Sequence, residues 1–293
     1  MKPARVLLLA AVAWGTVGAT ARAQTYQTDR TVETPQGARL HVENHAGDVT
    51  IRTWGRSAVR VQASHRPNTR VEIQTRGSLV QVGVQPPGHP GNPVSYMVTV
   101  PTDMPIEVDV IHGDVDVAGT RAPMQIDAVH GSIRVQGGAG TLALASVQGT
   151  IVVTGARGDV KAESVNQGIE LTDIRGDVTA EAVNGRIRLS GIDARRVTGE
   201  AVNGSVSYQG SIRPDGWYRF STHNGSIDLA LPADAAATFT ASTFNGTLET
   251  GFPVTLREAR QGKQFSFILG SGDARVELES FNGTMRIRRT GEP

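Results

Sequence analysis

From about residue 101 onward, apolar and polar positions alternate in short runs, and each run is broken by a small polar residue followed by glycine. Val178-Thr179-Ala180-Glu181-Ala182-Val183 leads into Asn184-Gly185, and Ile187-Arg188-Leu189 follows. A period of two places successive side chains on opposite faces, so both arms are predicted strands. The polar-Gly pair recurs as His112-Gly113, His130-Gly131, Gln148-Gly149, Gln167-Gly168, Asn184-Gly185, Asn203-Gly204, Asn224-Gly225, Asn245-Gly246 and Asn282-Gly283. Successive glycines stand 17 to 21 residues apart up to Gly246, and the last step is 37. Two periods fit in that gap, which predicts one irregular coil near residues 250–275. His45-Ala46-Gly47 is an earlier echo.

Asn-Gly before an alternating run also signals a hairpin, because both residues tolerate positive φ, so an antiparallel meander or sandwich is the alternative architecture. The columns favour stacking instead. Val147, Val165, Val183 and Val202 precede the turn, Ile133, Ile151, Ile169 and Ile187 follow it, and Val135, Val153, Leu171 and Leu189 come two residues later. Like meets like at every repeat when each coil sits on the same position of its neighbour, as in a parallel β-solenoid. The expected fold is therefore all-β: a single-domain parallel β-solenoid of about ten coils, two strands to a coil, with the turns at Asn184-Gly185, Asn203-Gly204, Asn224-Gly225, Asn245-Gly246 and Asn282-Gly283. The repeat domain spans 39–290, with an irregular N-terminal entry at 39–100, regular coils at 101–249 and an irregular coil plus end coil at 250–290. Residues 24–38 form an extension before it.

The first 23 residues change the picture of where this chain works. Lys2 and Arg5, an apolar run from Val6 to Ala13 and the small-x-small site Ala21-Arg22-Ala23 have the order of a cleaved secretory signal peptide. Cleavage before Gln24 leaves 26 basic against 28 acidic residues. No later stretch is long and apolar enough for a spanning helix, so export to the periplasm or cell surface is expected. The chain has no Cys, which excludes disulfides, thiolate metal sites and a cysteine nucleophile. Its near-balanced charge and scattered bases argue against nucleic acid.

The recurring Val-Asn-Gly-x-Ile-x-Leu units and the closing Gly272-Asp273-Ala274-Arg275-Val276 to Asn282-Gly283-Thr284-Met285-Arg286-Ile287, behind an export signal, resemble a bacterial family of exported β-strand-repeat domains of unknown function, described as putative adhesins. The resemblance covers roughly residues 38–290 and implies an envelope location. It brings no catalytic or binding residues.

Candidate chemistry is sparse. Two residues before the turn-flanking Val or Phe lies an outward column of Glu43, Asp109, Asp127, Ala145, Glu163, Glu181, Glu200, Ser221, Ser242 and Glu279. The acidic ladder Asp109, Asp127, Glu163, Glu181 and Glu200 either recruits a hard cation such as Ca²⁺ or a basic partner, or is a solvated stripe, and like charges on adjacent strands repel. His112 and His130 share a turn slot 18 residues apart, either as metal ligands or as substitutes for Asn at positive φ. Opposite charges pair Asp116 with Arg134 and Glu170 with Arg188. Trp54, Trp217 and Tyr218 are candidates for sugar stacking or for covering a core end. No nucleophile, base and orienting group occur together. The expected function is a non-catalytic exported module, an adhesin-like rigid scaffold presenting flat faces to a protein or glycan of the envelope, without a cofactor. The alternative is a polysaccharide lyase or hydrolase built on paired carboxylates.

Overall fold

The computed structural model describes residues 28–67, 69–85, 92–254, 257–258 and 263–291. The expected signal peptide and most of the loop that follows Gln85 lie outside these. Among the described residues there is no helix, and none long and apolar enough to cross a membrane.

Strands come in pairs separated by the glycine turn. They are β8 (Ile106–His112) and β9 (Val115–Ala118), β10 (Met124–His130) and β11 (Ile133–Gln136), and β12 (Leu142–Gln148) and β13 (Ile151–Thr154). The series continues with β14 (Val160–Ser164) and β15 (Ile169–Thr172), β16 (Val178–Ala182) and β17 (Ile187–Ile192), β18 (Arg196–Asn203) and β19 (Val206–Gly210), and β20 (Trp217–Asn224) and β21 (Ile227–Leu231). A hairpin would pair β8 with β9. Instead β8 pairs in parallel with β10, β10 with β12 and so on to β20, while β9 to β21 form a second parallel ladder. The register is that of the sequence columns, with Ile151 on Ile169 and Glu163 on Glu181. This is a mostly parallel, solenoid-like arrangement.

Inward columns make one continuous core: Ile133, Ile151, Ile169 and Ile187 are at most 1% exposed. Ala162 and Ala180 are fully buried on the facing ladder, and Gly199 continues their column. A Cβ at Gly199 would lie 3.1 Å from the Phe220 ring, so the missing side chain makes room for it. From there the core widens, with Tyr208 packed 5.2 Å from Phe220 and 6.0 Å from Tyr218 between ring centres. Tyr218 is therefore core, donating its hydroxyl to the Ala194 carbonyl at 2.7 Å, and is closed to sugar.

The two ends depart from sequence order. The chain starts with β1 (Thr28–Glu33), β2 (Arg39–Ala46), β3 (Val49–Trp54), β4 (Ala58–Ser64), β5 (Arg70–Arg76), β6 (Leu79–Gln85) and β7 (Ser95–Pro101). β2 lies between β8 and β6, and β3 between β9 and β7, all parallel. Antiparallel strands flank this end: β5 on β6, and β4 between β7 and β1. At the other end are β22 (Ala237–Thr250), β23 (Arg257–Glu258), β24 (Lys263–Leu269) and β25 (Ala274–Arg289). The last strand, β25, inserts between β20–β21 and β22. Antiparallel β24 then covers β22, and Phe267 stacks on Phe239 at 4.8 Å. The 37-residue step is thus a crossover rather than one irregular coil.

Two further expectations need correction. The polar residue of the turn is not held at positive φ: among the described non-glycine residues only Asp173 and Asp215 are. Glycine is required there by close approach. A Cβ at Gly149 would fall 1.8 Å from the Gly131 carbonyl oxygen, and one at Gly204 1.9 Å from that of Gly185. In the coil read as Gln167-Gly168, Asn166 occupies the polar column and Gln167 the glycine column. Among the expected ion pairs, Glu170–Arg188 forms at 3.8 Å. Asp116 instead meets Arg52 at 2.6 Å, because β3 underlies β9, and Arg134 reaches Asp114 at 3.3 Å.

Candidate interaction groove

The ladder from β8 to β20, continued by β25 and β22, carries two outward columns two residues apart. One is the acidic ladder. Asp109, Asp127, Ala145, Glu163, Glu181 and Glu200 follow in register, and Ser221, Glu279 and Ser242 complete the column in that spatial order. The other consists of Ile111, Val129, Val147, Val165, Val183 and Val202, each 39–45% exposed. Alternation explains this: a residue two places from an outward carboxylate also points outward. The apolar column ends in an aromatic stack, His223 on Phe281 at 4.7 Å and Phe281 on Phe244 at 4.9 Å.

Between the columns run small buried residues, Ala128, Ser146, Ser164, Ala182 and Ala201. Ser146 donates to the Gly131 carbonyl at 3.1 Å, and Thr222, later in the same column, to that of Gly204 at 2.8 Å. The two outward rows on either side of them wall a long trough of about 1140 Å³, with carboxylates on one wall and aliphatic side chains on the other. Six carboxylates line it against Arg219 and Lys263. Arg219 sits within 3.5 Å of carboxylate oxygens of Glu200, Glu277 and Glu279, which concentrates neutralisation at one end. Lys161 pairs with Glu163 and thereby stays charged to higher pH than an isolated lysine. The Glu181 carboxylate has no side-chain hydrogen bond or ion pair among the described residues.

Beside the apolar column lies a polar one. Asn184 donates to Asn166, Asn203 to Asn184, Asn224 to Asn203 and Asn282 to Asn224, at 3.0–3.3 Å. Asn245 is in register with Asn282. His112 and His130 begin this column with rings stacked at 4.7 Å, and His130 Nδ1 lies 2.8 Å from Gln148 Oε1. They act as its first rungs, and no carboxylates converge on them. The ligating atoms of three such groups come within 4.8 Å of one another, among the described residues, only at His41, Glu107 and Asp109. His41 Nε2 is already 2.8 Å from Asp109 Oδ2. Glu163, Glu181 and Glu200 line up without converging.

Sequence reading identified the acidic column and missed its aliphatic companion. The signal was present, since Val183 shares the parity of Glu181.

No protein-family model and no curated protein matches the chain. Solved structures do. A putative adhesin from Parabacteroides distasonis aligns over 89% of this chain and 96% of its own at 9% identity, with a TM-score of 0.51. One from Bacteroides fragilis covers the same shares at 12% identity and a TM-score of 0.43, and a putative cell adhesion protein from Clostridium sporogenes covers 89% and 99% at 9% identity and 0.24. The fold shared with the Parabacteroides protein is that of an all-β repeat protein, the class that the ladders and the groove define.

Proposed function

We propose that this protein is a single-domain β-solenoid, exported to the cell envelope, that works as a non-catalytic, adhesin-like scaffold with the groove as its contact face. One observation carries the reading: an exposed apolar row, aliphatic from Ile111 to Val202, runs in register beside a carboxylate-rich row. Soluble proteins seldom leave contiguous apolar surface uncovered unless something binds there. The groove also repeats the same side chains at successive coils, whereas a catalytic centre brings unlike groups together at one point. Adhesin descriptions of proteins with related folds support the same reading.

A photo-reactive residue at Val183, in the producing bacterium, tests it against one at Ser207 on the other ladder. Cross-linked partners from Val183 alone are expected; adducts from neither or equally from both overturn the contact face. Release of oligosaccharides from envelope polysaccharide by the purified chain would overturn the non-catalytic role. Export predicts a mature N-terminus at Gln24 in the envelope fraction. Because the lined-up carboxylates do not converge, the unfolding midpoint is expected to be the same with and without millimolar Ca²⁺.

A further inference from the structure

We infer that the groove receives a basic amphipathic α-helix laid along the stacking axis, an inference that rests on the groove being the contact face. Charge sets the sign of the partner. Six carboxylates on one wall, of which Asp127 and Glu181 meet no Lys, Arg or His within 4.0 Å among the described residues, call for a row of cations. The opposite wall calls for an apolar row alongside it. The partner therefore presents two parallel stripes of different chemistry, as an amphipathic helix does.

Spacing sets its conformation. Coils repeat every ~4.8 Å, so the four steps from Asp127 through Ala145, Glu163 and Glu181 to Glu200 span about 19 Å. Four turns of helix, one basic residue per turn, span about 22 Å. An extended chain repeats on one face every ~6.7 Å, and four repeats reach about 27 Å, roughly one and a half coils out of register. A lysine side chain absorbs the first mismatch and not the second. Strand addition is closed as well, because every strand of this face is hydrogen-bonded on both sides within the ladder. A sugar is offered little aromatic platform: both faces of Phe281 are covered, by His223 and Phe244, and only the outermost ring, Phe244 at 66% exposure, stays open at one end of the groove.

The test uses the full mature chain and a synthetic 25-residue peptide with Lys once per turn beside a Leu stripe. A second peptide has the same composition in strict Lys-Leu alternation, and a third has Glu for Lys. The first is expected to bind, gain helical circular dichroism and weaken with salt. Glu163→Gln/Glu181→Gln/Glu200→Gln and, separately, Val165→Thr/Val183→Thr should each weaken it at least about tenfold while leaving the strand spectrum intact. Equal or tighter binding of the alternating peptide, binding without helix gain, affinity unmoved by either variant, or tighter binding of envelope oligosaccharides overturns the inference. Failure here together with cross-links from Val183 discards the helix and keeps the contact face; loss of those cross-links discards both.

Discussion

At the turn between the two ladders a glycine does the work of a spacer. Gly149 has no backbone requirement for glycine, yet a Cβ there would overlap the Gly131 carbonyl at 1.8 Å, and backbone has nowhere to retreat between stacked coils. Gly149→Ala is expected to cost about 1–3 kcal/mol in unfolding free energy. Gly55→Ala, where a Cβ would meet nothing within 4 Å, should stay within about 0.5 kcal/mol. Equal midpoint shifts in thermal unfolding would refute the spacer role. Tyr96 is a second residue with a definite sign. Its hydroxyl is buried without a hydrogen-bond partner. Tyr96→Phe should therefore stabilise the chain by about 1 kcal/mol at neutral pH. Burial also holds the phenols of Tyr96, Tyr208 and Tyr218 above the ordinary value of 10.0. At these three groups the folded chain keeps protons that the unfolded chain releases, so their contribution is constant well below pH 10 and stability falls as pH rises beyond it. Denaturant titrations at pH 7 and above 10 should show a shallower alkaline loss in Tyr96→Phe; an unchanged slope would contradict the assignment.

The crossover strand β25 decides how the C-terminal elements depend on one another. β22 rests on β25 and β24, not on β20 or β21. Deleting 252–293 therefore removes a middle layer, and β22 should become protease-sensitive, although it lies outside the deletion. Protection of Ala237–Thr250 in the truncated chain would restore a sequential stack. Stacking itself was legible, because side chains one coil apart repeat like with like at Ile151, Ile169 and Ile187. The order of the last layers was not, since a repeat period locates equivalent positions without saying which are neighbours. Charge held the missing clue. In sequence order Asp228 would face Glu249, a like-charge contact, whereas inserting Arg286 between them gives contacts of 3.3 and 3.0 Å. The aliphatic wall escaped notice for another reason: a repeated Val suggests core, and only its parity with Glu163 and Glu181 shows that it points outward.

Across the described residues, the stack has about ten steps and a length on the order of 50 Å, with antiparallel strands flanking both ends of the first ladder. Parallel ladders would otherwise present open edges to other chains. At the C-terminal end the cover is β24, fixed by Phe267 stacking on Phe239. Phe267→Ala should loosen it at a cost of about 3–5 kcal/mol and expose the edge of β22. Light scattering is expected to show concentration-dependent association of this variant; a particle size indistinguishable from that of the unsubstituted chain would mean that the end is protected in another way. The groove runs along the side as far as the cover strand β24, whose Lys263 and Gln264 line its end, so its length increases with coil number while the ends stay the same.

The crossovers also govern how the chain bears load. β2 and β25 are each bonded on two sides, β25 from Arg275 to Ile287. A pull on the chain beyond Arg289 is thus delivered to a strand held between two neighbours, and each residue peeled away must break contacts in two ladders at once. Tension at that terminus meets the grip of an interior layer rather than of a loose edge.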